Sequence, residues 1–249
     1  MKFLLQKEII DSIELHIVKD LLDKDKVLHE YVIDSMDNVS KYYENMIPIG
    51  NIPFVQKWLS TCKGVNRMIP IEIPDFFRNK NYFLHRQYNV VPYEKLPRIG
   101  NWFIKDCTTL KNGTYAGNVE NSYQFNFETL DKSHMFVVSE CVEPLSEYRI
   151  YVIDDKIEGI VNYDGDVSIF PNVNFVKMVQ RLMSSKVGYN GYKMRSYSFD
   201  VMIHKVNDEL VSSLIEVHPF ACIGLYSTLW GTNLLYAYKD GIDFYINNH

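Results

Sequence analysis

The chain has 249 residues, 47% of them hydrophobic and 23% charged, with a formal net charge of −5 at pH 7. That is an ordinary globular composition, long enough for one large domain or two small ones with real cores. No dense block of Lys and Arg offers the electrostatic footprint of a nucleic-acid binder, and no apolar run approaches the ~20 residues of a membrane helix, so neither partner is expected. The opening stretch, MKFLLQKEIIDSIELHIVKDLL, starts like a secretion signal. Glu8, Asp11 and Glu14 soon interrupt it, and no small-residue cleavage site follows, so a cytoplasmic protein is the expectation. Cys62, Cys107, Cys141 and Cys222 stand singly, which favours free thiols over disulfides. Heavy use of Tyr, Asn, Lys and Ile points to an AT-rich coding source, viral or bacterial.

In chain order, Lys2 to Glu8 reads as a short apolar strand. Ile9 to Leu22 carries apolar residues at close to helical spacing, and Val27 to Ile33 returns to strand character. Asn51 to Leu59, with Pro53 in its first turn, reads as a helix. Strand, helix, strand, helix predicts a small α/β lobe, residues 1–79. Pro70 to Pro74 holds two prolines and no helical pattern, and is read as a linker. From residue 80 to 249 the pattern becomes β-rich with one helix. Strands are predicted at Trp102–Lys105 and Met135–Val142, a hairpin at Tyr148–Ile153 and Ile157–Tyr163, a helix at Phe175–Val187, and a second hairpin at Tyr197–Val206 and Leu210–His218.

The second hairpin carries the clearest chemical signal. With its turn centred on Asp208, Asp200 falls directly opposite Glu216. Phe199, Val201 and Ile203 then share one face with Ile215 and Val217, and the two carboxylates share the other. Like charges directly opposite are destabilising. Two readings are open: a cation between them, with Mg2+ shared with phosphates as the natural hard-ligand choice, or a solvated pair on an outer face. His218 lies two residues beyond Glu216 on the same face. His204, on the face of Asp200, reads as a hydrogen-bonded structural residue.

These residues, with PIGNIPFVQKWL, WFIKD, VVSECVEPLSEYRIYVIDDKIEGIVNYDG, YSFDVMI and LIEVHPFACIGLY, resemble the ATP-grasp superfamily. The closest likeness is to the phage and bacterial clade named for an arginine and two lysines. A distant eukaryotic relative of that clade is the cell-division-cycle protein that helps assemble a translation initiation factor. The likeness runs from roughly Pro48 to Tyr226. It implies an α/β (α+β) ATP-grasp fold with an N-terminal pre-ATP-grasp lobe. By resemblance, Lys105 contacts the ATP phosphates, and CTTLKNGTYAG is the loop that covers them, lined by Thr108, Thr109, Lys111 and Gly113. Small residues allow close backbone approach there, and Lys supplies a point charge. The VVSECV strand is similar to an adenine-binding hinge, with the backbone of Glu140 and Val142 reading the base. Glu147 would hold ribose or orient Arg149, and Arg149 would face phosphate or the acyl substrate through its planar fork. Tyr151 continues that face and Tyr163 returns opposite it. Arg86 and Arg98 are equal candidates for a further basic residue at the phosphates.

Asp200 and Glu216 are then the family's metal carboxylates. The superfamily usually has Asn two residues after the metal Glu, and this chain has His218, a poorer Mg2+ ligand, which would either contact phosphate or substrate or favour Mn2+. The implied activity is an ATP-dependent carboxylate–amine or carboxylate–thiol ligase working through an acylphosphate, with Lys105, Lys111 and Arg149 stabilising the transferring group. No protein nucleophile is needed. The acyl and amine substrates stay open: amino acid, peptide, protein terminus or polyamine. The alternative is a non-catalytic ATP-binding factor that orders a protein interface.

Overall fold

The computed structural model describes residues 1–108, 114–120, 126–186, 188–189, 192–226 and 230–248. The first lobe is a three-stranded parallel sheet of β1 (Lys2–Gln6), β2 (Glu30–Asp34) and β3 (Ile47–Ile49), in the order β2-β1-β3. Helix α1 (Ile13–Lys24) links β1 to β2, and α2 (Ile52–Trp58) follows β3. α1 begins four residues later than its apolar spacing suggests. Ser12 caps it by accepting from the Leu15 amide at 3.3 Å, and Lys7–Ile9 forms a separate short turn. Asn51 caps α2 in the same way at 3.0 Å, with Pro53 in the first turn as expected.

Two short helices, α3 (Asp75–Arg78) and α4 (Asn81–Leu84), lead into an antiparallel sheet of β4 (Tyr88–Pro92), β5 (Asn101–Asp106), β6 (Thr114–Asn118) and β7 (Met135–Glu140), ordered β4-β7-β5-β6. A second antiparallel sheet contains β8 (Ser146–Ile153), β9 (Lys156–Gly165), β12 (Tyr197–Val206) and β13 (Glu209–Pro219), ordered β13-β12-β8-β9. Between its two hairpins lie α5 (Val173–Lys186) and the small strands β10 (Gly188–Tyr189) and β11 (Tyr192–Lys193). Helix α6 (Asn233–Asn247) closes the described chain. The sequence reading, with one helix after residue 80, missed α6, α3 and α4, and the strands β3, β4, β6, β10 and β11; β6 takes up the TYAG end of the stretch read as a loop.

Alternation along β8 and β12 sorts core from site. Tyr148, Ile150 and Val152, with Phe199, Val201 and Ile203, pack on Phe175, Val176, Val179 and Met183 of α5. The opposite face carries Glu147 and Arg149 from β8, and Asp200 and Met202 from β12. In the first sheet, Ile104, Phe136 and Val138 form a separate core behind the strands, leaving Phe103, Lys105, Val137 and Ser139 facing the second sheet. Apolar clusters also run across residue 79: α1 and β1 pack with Tyr151, Phe220 and α6.

Both long hairpins turn on two residues with left-handed backbone: Asp154–Asp155 (φ 52 and 63) and Asn207–Asp208 (φ 50 and 65). The Asn207–Asp208 turn sets a register one step away from a turn centred on Asp208. A bulge then corrects it. Val201 faces Leu214, Asp200 faces Glu216, and Ile215 is the extra residue. So the paired carboxylates stand as expected, but Leu214, not Ile215, joins the core face. The stretch read as a linker is also more than a connection, because Ile71 bridges to Val217 at the end of β13. Among the described residues no helix is long and apolar enough to cross a membrane, and all four cysteines are free thiols.

α6 approaches the chain just beyond β13 at Gly241. A Cβ there would sit 2.4 Å from the carbonyl atoms of Phe220 and 2.9 Å from the Ala221 nitrogen. Ala is worth up to ~1 kcal/mol over Gly in an open helix, but overpacking against backbone costs typically ~1–3 kcal/mol. Gly241→Ala is therefore expected to lower the urea midpoint. A midpoint that stays or rises would show that α6 is not seated this tightly.

Candidate nucleotide and metal site

The two antiparallel sheets face each other across a cleft enclosing about 940 Å³, its open mouth included. Phe103, Lys105, Val137 and Ser139 line one wall, and Glu147, Met202, Ile215 and Glu216 the other. Glu140 to Val142, leaving the end of β7, form the back, and Pro70 to Ile73 close the side. The supposed linker is thus a wall of the cleft.

Charges gather on one rung beside the cleft, which Lys105 and Glu216 line. Arg149, Asp200 and Glu216 stand on one rung of the second sheet, directly opposite one another across β8, β12 and β13. Arg149 donates from Nε to Asp200 Oδ1 at 2.8 Å and from Nη2 to Oδ2 at 2.7 Å, with both residues buried. Burial works against the Arg149 charge, but the hydrogen-bonded carboxylate overrides it and pushes the guanidinium pKa up. Lys105 crosses from the first sheet to donate to Glu216 Oε2. Burial opposes ionisation of Glu216 as well, yet His218 and Lys105 hold its carboxyl well below the usual range. Of the two readings of the carboxylate pair, the solvated outer face does not hold, because Asp200 is buried, and the repulsion that favoured an added cation is already offset by Arg149 and Lys105.

The donor set nonetheless fits a metal. Ligand atoms of Asp200, Glu216 and His218 all lie within 4.8 Å of one another. His218 Nε2 is 2.8 Å from Glu216 Oε1, close enough for an ion pair, yet it is buried with no hydrogen-bond partner of good geometry. Two carboxylates and an imidazole this close together make a donor set that a divalent ion could join.

Glu147, two residues before Arg149 on the same face, accepts from Tyr163 Oη at 2.5 Å. Burial raises the Glu147 pKa. Tyr163 is the extra residue of a bulge in β9, opposite the Glu147–Tyr148 step. Its ring stacks on Tyr226, with centroids 5.4 Å apart, and the Arg149 guanidinium lies 5.5 and 5.4 Å from the two centroids. Tyr151 anchors this pair, donating to Gly224 O at 2.5 Å and accepting from Tyr226 N at 3.1 Å. Tyr226 was not singled out in the sequence, because a loop residue has no periodic signal. Met202 was derivable, lying two residues from Asp200 on one face.

Arg86 and Arg98 part company. Arg86 lines the cleft and donates to Ser139 Oγ, Leu84 O and Leu214 O at 3.0, 3.1 and 2.9 Å. Burial pulls its pKa down to about 10, which leaves it charged at neutral pH. Arg98 instead stacks on Phe127 and Tyr93, away from the cleft. His204 accepts the bland reading, with Nε2 2.7 Å from Ser213 Oγ. Cys107 lines the cleft, but burial raises its thiol to about 11, so it is protonated and no nucleophile. Thr108 Oγ1 accepts from Met135 N at 2.8 Å, and its own amide donates to Asp106. Thr109, Lys111 and Gly113 lie outside the described residues.

Two antiparallel sheets closing on a cleft with this charged rung define an ATP-grasp domain. Residues 83–229 match the family described as ATP-grasp domain, R2K clade family 2, and the chain belongs to that family. Three solved structures share the fold. A RimK-domain ATP-grasp protein from Sphaerobacter thermophilus superposes with a TM-score of 0.55 at 13% identity, over 100% of this chain and 99% of that one. The ATP-grasp ligase PsnB, complexed with a phosphomimetic variant of its minimal precursor, Mg and ADP, gives 0.52 at 11% identity, over 99% and 96%. D-alanine–D-alanine ligase from Bacillus anthracis, complexed with ATP, gives 0.51 at 11% identity, also over 99% and 96%. No curated protein matches the chain in sequence.

The buried pair reverses the sign of one substitution. Repulsion alone would make Asp200→Asn stabilising. With Arg149 held by Asp200, neutralising the carboxylate strands a buried guanidinium, at a cost on the order of 3 kcal/mol. Asp200→Asn is expected to lower the melting temperature of the ligand-free protein. An unchanged or higher value would mean that Arg149 is not tied to Asp200.

Proposed function

We propose that the chain is an ATP-dependent ligase that joins a carboxylate to an amine or thiol through an acylphosphate, releasing ADP and phosphate. The observation that carries this reading is the meeting of Lys105 and Glu216 in the cleft, with Arg149 and Asp200 on the same rung as Glu216. Membership of an ATP-grasp family supports it, as do structural neighbours that are named ligases. Residues 1–79 would serve as the pre-ATP-grasp lobe and 80–249 as the catalytic unit.

The backbone of Glu140 and Val142 would read the adenine edge, a task that needs only free amide and carbonyl groups. Glu147 would take a ribose hydroxyl. Lys105 would turn from Glu216 to the phosphates, with Thr108 and Lys111 on the loop above. Arg86 lies within the same cleft as a third cation. Asp200, Glu216 and His218 would hold the metal. A bound divalent ion supplies charge neutralisation on the phosphate oxygens.

The substrate carboxylate oxygen attacks the γ-phosphorus and the bond to the ADP oxygen breaks. The amine or thiol then attacks the acyl carbon, and phosphate leaves with the acyl-oxygen bond pair. The protein's part is positioning and electrostatics: Arg149, pinned by Asp200 and both tyrosine rings, presents a fixed charge to the transferring group.

The test is a carboxylate panel with ATP, Mg2+ and hydroxylamine. A substrate carboxylate is expected to give hydroxamate with ADP and phosphate. Lys105→Met is expected to weaken ATP binding about tenfold or more, measured by calorimetry, since it removes a charge-assisted contact. Arg149→Lys keeps the charge but loses the fork. It should depress hydroxamate formation more than ATP affinity, because only interactions made in the transition state accelerate the step. Tight ATP binding with no hydroxamate and no stimulated ADP release would favour the assembly-factor alternative. AMP and pyrophosphate as products would mean adenylation instead.

A further inference from the structure

We infer that Arg86 reads the base of the nucleotide and not its phosphates. Its open guanidinium nitrogen, Nη2, donates to the purine N7. Through Ser139 the same side chain fixes the Glu140 carbonyl that would accept from the 6-amino group. The inference rests on the nucleotide reading above and deepens it by naming a residue that selects the base.

The partners of Arg86 among the described residues are all neutral. Nε donates to Ser139 Oγ at 3.0 Å, and Nη1 donates to Leu84 O and Leu214 O at 3.1 and 2.9 Å. Nη2 has no partner among the described residues and is not one of the buried unpaired atoms, so it opens on the cleft that Arg86 lines. Burial works against the charge, and a desolvated cation with only neutral partners is stabilised by an acceptor that arrives with the ligand. Arg can only donate, so Ser139 Oγ accepts from it and turns its own proton to Glu140 O, at 3.1 Å. Arg86 therefore sets the direction of the hydrogen bond that holds this carbonyl.

Order along the cleft selects the acceptor. On one edge of adenine, N7, the 6-amino group and N1 follow one another, and N7 is an acceptor. At the back of the cleft, Arg86 on Ser139, the Glu140 carbonyl and Val142 follow one another in the same order. With Val142 N on N1 and Glu140 O on the 6-amino group, N7 falls on the Arg86 side. Lys105 instead pairs opposite Val137, two residues farther from Ser139, and reaches Glu216. The cation suited to the phosphates and the cation suited to the base are thus different residues.

The test is calorimetry on the full chain with Mg2+, comparing ATP with 7-deaza-ATP, in which a C–H replaces N7. The wild type is expected to bind 7-deaza-ATP about tenfold more weakly, through loss of one charge-assisted hydrogen bond. Arg86→Met is expected to bind the two nucleotides alike. Arg86→Lys keeps the charge and is the variant to use where Arg86→Met fails to fold. Without the planar fork it cannot hold Ser139, Leu214 and N7 together, so the preference for ATP should largely disappear. Equal affinities in the wild type would overturn the inference and leave the ligase reading intact. So would a variant that weakens both nucleotides by one factor and keeps the preference, because Arg86 would then act at the phosphates. Failure of the wild type to bind either nucleotide would overturn both.

Discussion

Asp200 is 1% exposed in the interior of a four-stranded sheet, and both of its oxygens are taken by the fork of Arg149. A carboxylate so placed cannot be left alone, because desolvating it without a partner costs several kcal/mol by order of magnitude. The partner has to be planar and bidentate, and it has to come from the neighbouring strand at the same rung. Arg149 meets all three conditions. Its position in turn fixes where Tyr163 and Tyr226 stack, and Tyr151 holds that stack through the backbone at Gly224 and Tyr226. One ion pair thus organises the site from β13 to the loop beyond it.

The other face of the same sheet supplies the rigidity this pair needs. Tyr148, Ile150, Phe199 and Val201 alternate with the charged residues and are fully buried against α5. A one-residue slip of either strand would drive these rings into the cleft and the charges into the core, so the register is strongly specified. Beyond His218 the chain is clamped by α6, where Gly241 lets helix meet backbone at Phe220. Two bulges then do what regular pairing cannot. They insert Tyr163 and Ile215 as extra residues on the strands flanking Arg149 and Asp200.

Much of this was legible in the alternation of SEYRIYVI and YSFDVMI, which separates chemistry from core without any structure. The Asp200–Glu216 pairing was legible too, but for an incomplete reason. A turn centred one residue off and an unseen bulge cancelled each other, because neither a turn's length nor a bulge leaves a period in the sequence. The counter-charges were not legible from the hairpin alone. Lys105 is 111 positions from Glu216 in the chain, and no local spacing reports a contact between sheets. Pro70 to Ile73 was misread for the same cause. Two prolines do exclude a helix, yet an extended segment can still line a cleft and bridge to Val217. The stretch before α6 offered no pattern at its N-terminus, since Thr232 makes no side-chain cap.

The charge balance of the site bears on how it could exchange ligands. Without nucleotide, Lys105 and Arg149 neutralise Glu216 and Asp200 one for one. The two pairs are not equivalent. Asp200 has both oxygens committed and is buried, whereas Glu216 and Lys105 keep 28% and 23% of their side-chain surface exposed. On the proposed reading, the looser pair is the one that opens. Lys105 swings to phosphate, a divalent ion takes its place at Glu216, and each carboxylate remains balanced throughout. Arg149 need not move, which is what a group that stabilises a transition state requires, since a charge already in place costs no reorganisation during the step. The same asymmetry explains why the stiff member of the rung is the arginine and the mobile one the lysine. A fork held at two points resists rotation, while an ammonium on a four-carbon stem can change partners with little strain.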